Sequence, residues 1–368
     1  MYGKYGEERF PQLIIDEEAL RQNVRYFADL CGAKGIDLAG VVKGASGLPA
    51  TIRAFADGGA AQIASSRLEQ LENVKKLGID KPTMLLRVPM LSEIEDVIRI
   101  ADISLNSEAV VLKALNEEAG RQGKKHQVLL MADMGDLREG YWDKDELAQV
   151  ALMVDRELTN LELIGIGTNV GCWGSIYPDR PKLDELVAVA EKVEAVIGRE
   201  LRYISGGATS SFMRVMDGDI PPRINHLRCG EGVLLARDFD VLYHLDTSMF
   251  RRDVFKLRAE VIEVREKPSH PVGTIGFDAF GRQPEYVDRG IRRRALVAVG
   301  KVDIGDQTEI FPTEEGIEIL GGSSDHTILD VTDYKGSLEV GDVLEFDINY
   351  GSLIYLSMSP NVTVVVKN

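Results

Sequence analysis

The sequence predicts an α/β protein in which a (β/α)8 TIM barrel precedes a C-terminal all-β domain. Residues 11–240 alternate between short apolar runs, typical of buried strands, and longer runs whose apolar residues recur at helical spacing. About eight such units follow one another, which matches a closed barrel of parallel strands better than an open sheet. Beyond residue 240 the helical spacing ends, so residues 241–368, joined by residues 1–10, are predicted to form the β domain.

The predicted barrel strands are apolar runs, and each is followed by a predicted helix or helical turn. The strands are 13–15, 38–43, 61–64, 83–88, 102–105, 127–133, 161–167, 201–205 and 224–228. The main helices begin at residues 16, 49, 66, 92, 106, 145 and 179. Since the chemistry of such barrels lies after the carboxyl ends of the strands, polar residues there are the first candidates. They are Lys43, Asp133, Asn169, Ser205 and Arg228.

The β domain is predicted from alternation of apolar and charged residues. In residues 256–261 an apolar residue follows each charged one, which is the pattern of a strand with one buried face. Residues 295–299, 343–348 and 362–366 are further strand candidates, and Gly-Asp pairs mark turns. No convincing long helix is predicted in this region.

Composition limits the class of function. A formal net charge of -16 disfavours binding to nucleic acid or to anionic membranes. The sequence contains no apolar run that could cross a bilayer and no apolar leader, and its three cysteines are widely spaced. These features predict a cytoplasmic protein. The five histidines have no metal-ligand spacing, so no metal is predicted.

Lys43 ends an apolar strand and leads into a glycine-rich loop. Burial at a strand end lowers the pKa of a lysine amine, which makes the amine a usable nucleophile or base. A lysine in this position can also simply extend its charge into solvent. The strand end alone does not decide between these two interpretations.

Two glycine loops and an arginine supply further chemistry. Residues 205–211 (Ser-Gly-Gly-Ala-Thr-Ser-Ser) and 228–232 (Arg-Cys-Gly-Glu-Gly) both follow strands, where backbone N–H groups can bind an anion. Arg138 could bind a carboxylate, or could form a structural ion pair instead. The sequence contains no P-loop motif and no Gly-x-Ser-x-Gly motif. A cofactor that forms a Schiff base and carries a phosphate would use all of these groups.

On these residues the chain resembles the alanine racemase family, the fold-type III enzymes that use pyridoxal 5′-phosphate, and is most similar to its ornithine racemase branch. Val41-Val-Lys-Gly-Ala45 is similar to the segment with the Schiff-base lysine, which implies that role for Lys43. Leu227-Arg-Cys-Gly230 is similar to the segment whose arginine, here Arg228, faces the pyridine nitrogen. The resemblance implies further contacts. The phosphate of the cofactor would be contacted by Gly207, Ala208, Gly230, Glu231 and Tyr350, and its ring by Asn169. The substrate would be contacted by Arg138, Ser324 and Asp325.

The resemblance also implies a homodimer, because the turn at Ser324-Asp325 matches one that a second subunit places over the active site. Three positions depart from the family pattern: Gly47 and Asn169 replace a tyrosine and a histidine, and Phe277 stands where the second catalytic base is a tyrosine. Phenylalanine cannot transfer a proton, so Asp278 or Tyr286 is considered for that role.

The expected function is racemisation of a free amino acid, with ornithine or another basic amino acid as the substrate class that the resemblance implies. The missing tyrosine keeps a second activity open, namely decarboxylation. A non-catalytic protein that binds pyridoxal phosphate is a further alternative, although the resemblance implies that such proteins typically consist of a barrel alone. A sugar-binding barrel without a cofactor is the simplest alternative.

Overall fold

The computed structural model describes residues 9–278 and 280–367, which form two compact units. The larger unit is Glu18–Arg251. The smaller unit combines the described residues up to Glu17 with those from Arg252 onward, and it includes the first strand, β1 (Gln12–Asp16). Residues 1–8, which the sequence analysis assigned to the β domain, lie outside the described part of the chain.

The larger unit contains a closed barrel of eight parallel strands, as predicted. The strands are β2 (Asp37–Val41), β3 (Gln62–Ser65), β4 (Thr83–Leu85), β5 (Ile103–Asn106), β6 (His126–Met131), β7 (Leu161–Gly167), β8 (Tyr203–Ser205) and β9 (His226–Cys229). The helices are α1 (Glu17–Gly32), α2 (Pro49–Asp57), α3 (Leu68–Lys76), α4 (Ile94–Ile100), α5 (Ala109–Arg121), α6 (Lys144–Glu157), α7 (Arg180–Ile197), α8 (Thr209–Met216), α9 (Glu231–Leu234) and α10 (Arg237–Val241). Pairing of β9 with β2 closes the ring.

The barrel has a packed interior rather than a channel. Its apolar core consists of Ala39, Val41, Ala64, Met84, Ile103, Leu105, Leu129, Met131, Ile164 and Tyr203, with Leu86 packed against it. Outside, the helices bury one face each. In α1 that face contains Leu20, Val24 and Phe27, which recur at helical spacing.

The smaller unit is built around an antiparallel sheet. Its further elements are β10 (Phe255–Pro268), β11 (Ile291–Val297), α11 (Lys301–Ile304), β12 (Ile310–Pro312), β13 (Glu318–Gly322), β14 (Thr327–Asp330), β15 (Val343–Ile348), α12 (Tyr350–Met358) and β16 (Thr363–Lys367). The strand order is β12-β15-β10-β11-β14-β13. In β10, Leu257, Ala259 and Val261 are buried, so the predicted alternation is confirmed.

Helix α12 is a difference from the predicted all-β domain. Its nine residues include the apolar run Leu353–Leu356. A short apolar run of this kind does not distinguish a buried helix from a buried strand, which is why the periodicity did not predict it. Among the described residues, no helix is long and apolar enough to cross a membrane.

The position of β1 also differs from the prediction, which placed residues 11–240 in the barrel. β1 pairs antiparallel with β10 and parallel with β16, in register from Gln12. The physical reason is that the eight strands β2–β9 already close the barrel, while β1 is buried between two partners in the sheet of the smaller unit. The strand itself was predicted, but its sheet was not.

Candidate active site

Four of the predicted site residues lie at the carboxyl ends of barrel strands. Lys43 follows β2, Arg138 lies in the loop after β6, Asn169 follows β7, and Arg228 is the residue before the last in β9. The glycine loops follow β8 and β9, and contain Gly207, Ala208, Gly230 and Glu231. Because carboxyl ends of parallel strands meet at one edge of a barrel, the fold gathers these residues from separate parts of the sequence.

Lys43 begins a 3-10 turn directly after β2. The turn is closed by Ser46, whose backbone N–H donates to the Lys43 carbonyl at 3.1 Å. The φ angle of Ser46 is 50°. Desolvation at the barrel end lowers the pKa of the Lys43 amine, and the positive charges of Arg138 and Arg228 lower it further. The side chain nevertheless remains accessible to solvent. Lys43 is therefore an accessible residue whose amine loses its proton more readily than that of a free lysine.

Arg228 is a buried charge at this end of the barrel, with 3% of its surface exposed. Its Nη2 donates to the Thr168 carbonyl at 2.6 Å and to Asn169 Oδ1 at 2.8 Å, and its Nη1 donates to the Ser205 hydroxyl. Burial lowers the pKa of the Arg228 guanidinium to about 10. At neutral pH it is a fixed cationic donor.

Glu139 connects the two arginines and was not identified from the sequence. Its carboxylate accepts from Arg138 Nε and, at 2.7 Å, from Arg138 Nη2, and it also accepts from Asn169 Nδ2. Burial alone would raise the pKa of Glu139, but the hydrogen bonds from Arg138 and Asn169 outweigh it, so the pKa is lowered. The Asn169 amide joins Glu139 to Arg228, and the place of Asn169 beside a ring stays a prediction.

Two acidic residues hold the loops above this network. Asp136 is buried, and its carboxylate accepts backbone N–H groups from Gly171, Cys172 and Trp173 at 3.1, 3.2 and 2.9 Å. Asp133 accepts from the backbone of residues 135 and 137. Carboxylates that accept several backbone donors in this way fix loop conformation. The sequence analysis named Asp133 as a candidate because it lies at a predicted strand end. Asp136 has no such position in the sequence, so its role in the loop was not predicted.

The glycine loops bring two helix N-termini together. The backbone N–H of Gly232 donates to Thr209 Oγ1 at 3.2 Å, so the starts of α8 and α9 are adjacent. Gly207 has φ of 119°, and a Cβ there would lie 2.6 Å from Ser211 Oγ, so this turn requires glycine. Adjacent helix starts of this kind favour an anion such as a phosphate. Burial raises the pKa of Glu231 to about 8, which keeps its carboxyl mainly neutral there at neutral pH.

The other predicted residues belong to the smaller unit. Tyr350 is the first residue of α12. Ser324 and Asp325 are exposed on the turn between β13 and β14, where Ser324 Oγ donates to the Asp325 carboxylate at 2.5 Å. The Ser324 carbonyl accepts the N–H of Val302 at 3.0 Å, which holds the turn in place.

The three residues considered around the second base lie on one exposed loop of the smaller unit, between β10 and β11. Phe277 is 77% exposed and Tyr286 43% exposed. The Asp278 carboxylate accepts from the backbone N–H groups of Phe280 and Arg282, both at 2.8 Å, and pairs with the Arg282 guanidinium at 3.1 Å. These hydrogen bonds lower the pKa of Asp278, so it is a poor proton donor.

Comparison with known proteins assigns this arrangement to a family. The profile described as alanine racemase, N-terminal domain, matches residues 15–238. The chain belongs to the alanine racemase family. An ornithine racemase of Acetoanaerobium sticklandii is 40% identical over 345 residues, which cover 94% of this chain and 96% of that protein. A lysine racemase of Thermotoga maritima is 37% identical over 358 residues, which cover 97% of this chain and 99% of that protein.

The fold agrees with this family assignment. The crystal structure of alanine racemase from Streptomyces lavendulae superposes with a TM-score of 0.76 at 18% identity, covering 98% of each chain. The resemblance inferred from the motifs is thereby confirmed. Within residues 9–278 and 280–367, no group of three or more His, Cys, Asp or Glu side chains could hold a metal ion.

Proposed function

We propose that this protein is a pyridoxal 5′-phosphate-dependent racemase that interconverts the L and D forms of a basic amino acid, with ornithine and lysine as the first substrates to test. The observation that carries the proposal is the accessible Lys43 amine, with its lowered pKa, beside the guanidinium groups of Arg138 and Arg228. The racemase activity and the substrate class are those of the ornithine racemase and the lysine racemase that match almost the whole chain.

The residues at the barrel end fit the cofactor in their chemistry. Lys43 would supply an amine for its aldehyde carbon, and the buried Arg228 would supply a donor for its ring nitrogen. The adjacent starts of α8 and α9, with Gly207, Ala208, Gly230 and Glu231, suit its phosphate. When bound, the cofactor delocalises the negative charge that develops at the substrate α-carbon. The phosphate contact from Tyr350 is a prediction of the resemblance.

Arg138 and Lys43 then have separate tasks. Arg138 binds the substrate carboxylate, with Glu139 holding its Nε and Nη2 and leaving Nη1 outside this ion pair. Lys43 would remove the α-proton from one enantiomer and, in the reverse direction, deliver a proton to the same face, for which its lowered pKa is suitable. Racemisation also needs a proton donor on the other face. Because Asp278 is held as a carboxylate by its own loop, Tyr286 is the better candidate.

A homodimer with shared active sites forms part of this proposal. The loop that contains Phe277 and Tyr286 exposes large apolar side chains, including Val272 at 91% and Val287 at 76%. Exposed apolar side chains grouped on one loop are typical of an interface. Mixing a Lys43→Ala chain with a Tyr286→Phe chain tests it, because shared sites predict that the mixture regains activity that neither variant has alone. Two inactive parents and an inactive mixed dimer would contradict shared sites.

The decisive experiment is α-hydrogen exchange in heavy water with each L- and D-amino acid. We expect deuterium at the α-carbon of ornithine or lysine, loss of this exchange in Lys43→Ala, and full activity in the matched surface variant Lys34→Ala, where the lysine is exposed at the end of the first barrel helix. Absence of exchange with every amino acid would refute the proposal. Release of carbon dioxide from L-ornithine or L-lysine would instead identify a decarboxylase, the alternative that Phe277 keeps open.

A further inference from the structure

One side of the barrel interior carries a set of polar side chains beside the apolar core. Strands β4 to β7 contribute Met84, Ile103, Leu105, Leu129, Met131 and Ile164 to the apolar core described above. The four neighbouring strands β3, β2, β9 and β8 add polar side chains at alternate positions, which therefore share the inner face with core residues such as Ala39, Ala64 and Tyr203. These polar residues are Asp37, Gln62, Tyr203, Ser205, His226 and Arg228.

The six side chains form one continuous series of hydrogen bonds. Arg228 Nη1 contacts Ser205 Oγ, which lies 2.6 Å from His226 Nδ1. His226 Nε2 lies 3.1 Å from Gln62 Oε1. From there the series continues through Gln62 Nε2 to the Tyr203 hydroxyl at 3.3 Å and from that hydroxyl to Asp37 Oδ2 at 2.7 Å. It therefore connects the candidate active site with the opposite, N-terminal end of the strands.

The series ends at the Arg228 guanidinium on one side and at the Asp37 carboxylate on the other, and these two groups fix which partner donates in every hydrogen bond between them. A guanidinium can only donate and a carboxylate can only accept. Since Tyr203 must donate to Asp37, its oxygen accepts from the Gln62 amide, and the Gln62 carbonyl then faces His226. His226 must therefore carry its proton on Nε2, which leaves Nδ1 to accept from Ser205. The Ser205 oxygen in turn accepts from Arg228.

The interior members of the series keep their protonation states near neutral pH. His226 has no exposed surface, and burial lowers its pKa to about 3. Burial and the hydrogen bond to Asp37 raise the pKa of Tyr203 to about 12. His226 is consequently a neutral imidazole and Tyr203 a neutral phenol, as this order of donors and acceptors requires.

We propose that Asp37, Tyr203, Gln62 and His226 are positioning residues that fix the Arg228 guanidinium through Ser205. The relevance of this hydrogen-bond series to catalysis rests on the proposed function, which assigns Arg228 to the cofactor ring. The series itself does not depend on that assignment. The effect is remote, because Asp37 lies five hydrogen bonds away from Arg228.

Removing the Tyr203 hydroxyl should reverse part of the series. In Tyr203→Phe the Gln62 amide N–H loses its acceptor, and an unpaired buried N–H is costly. Rotation of the amide lets this N–H donate to His226 Nε2, which moves the imidazole proton to Nδ1. Ser205 then accepts from both neighbours, and Arg228 is held less tightly. Asp37→Asn keeps an acceptor for Tyr203 and should leave the tautomer unchanged.

The test is nuclear magnetic resonance of the full-length protein with ¹⁵N-labelled histidine and arginine. We expect the His226 proton on Nε2 in the wild type and in Asp37→Asn, and on Nδ1 in Tyr203→Phe. Exchange of the Arg228 guanidinium protons should be about fivefold faster in Tyr203→Phe. Ser104→Ala is the matched control, because Ser104 is as buried as Ser205 and also forms a hydrogen bond with a buried histidine, His126, at 2.8 Å. Among the described residues this pair is not part of the series that ends at Arg228.

Kinetics separate this inference from the proposed function. In an active racemase, Tyr203→Phe should lower kcat about fivefold with KM unchanged, while Ser104→Ala keeps both. The inference would be overturned by a His226 proton on Nδ1 in the wild type. It would also be overturned if Tyr203→Phe left the His226 tautomer or the exchange of the Arg228 protons unchanged, or left kcat unchanged in an active enzyme. If the predicted spectra appear in a protein that racemises no amino acid, the proposed function fails and the positioning of Arg228 stands.

Discussion

Replacement of Glu231 by glutamine should make the protein more stable, and increasingly so at higher pH. Burial, with the neighbouring Asp238 charge adding to it, raises the pKa of this carboxyl from 4.5 to about 8. The folded state therefore holds the proton more tightly than the unfolded state. The contribution of Glu231 to the free energy of unfolding is therefore fully present below about pH 4.5, where the carboxyl is protonated in both states. It is lost as the pH rises towards about 8.

The pKa difference sets the size of the effect. At about pH 7, keeping the carboxyl protonated costs roughly 3 kcal/mol for complete burial, and solvent screening at the partly exposed group reduces this to about 1–3 kcal/mol. Glu231→Gln removes that cost, because the amide is neutral at every pH. Urea denaturation at about pH 5, 7 and 9 measures it. The control is Glu146→Gln, an exposed glutamate in the first turn of α6. Equal pH dependence in wild type and Glu231→Gln would refute the reasoning.

Three further predictions concern the loops around the site. Glu139→Gln weakens the charged hydrogen bonds to Arg138 and should raise KM for the amino acid about tenfold in the racemisation assay. Asp136→Asn removes an acceptor for the backbone of residues 171–173, so amide exchange there should become about tenfold faster. Gly207→Ala imposes φ of 119° on a residue with a Cβ, and thermal denaturation should show a loss of about 1–3 kcal/mol.

Each of these has a control or a contradicting result. Gly218 also has a positive φ, of 70°, but open space around its Cβ position, so Gly218→Ala should cost less than Gly207→Ala. Equal losses would show that the contact with Ser211 Oγ is unimportant. For Glu139→Gln, a lowered kcat with an unchanged KM would contradict a role in substrate binding. For Asp136→Asn, faster exchange throughout the barrel would indicate general destabilisation instead.

The barrel and most of its candidate site were predictable because they depend on local patterns. Strands and helices alternate along the chain, and Lys43, Asn169 and Arg228 each follow an apolar run that ends at the same edge of the barrel. By contrast, Glu139 has no distinguishing pattern, since an acidic residue next to an arginine is common on any surface. Only the fold shows that its carboxylate bridges Arg138 and Asn169.

The hydrogen-bond series in the barrel interior could not be predicted for a related reason. Gln62, Tyr203 and His226 are single polar residues in separate apolar strands, and their distances along the sequence carry no signal. Parallel pairing of β3, β2, β9 and β8 brings them together. The placement of β1 failed similarly, because an apolar strand that is buried on both faces fits a barrel as well as another sheet.

The pairing of β1 with β16 has a consequence for synthesis. Gln12 lies opposite Thr363, so this first strand is made long before its partner. At the usual rate of translation the residues between β1 and β10 take roughly 10–50 seconds, during which β1 has no partner strand and the barrel sequence is completed; β16, its second partner, is made later still. The sheet of the smaller unit can therefore close only after its last strand has left the ribosome, and an apolar strand that waits this long is a natural target for chaperones.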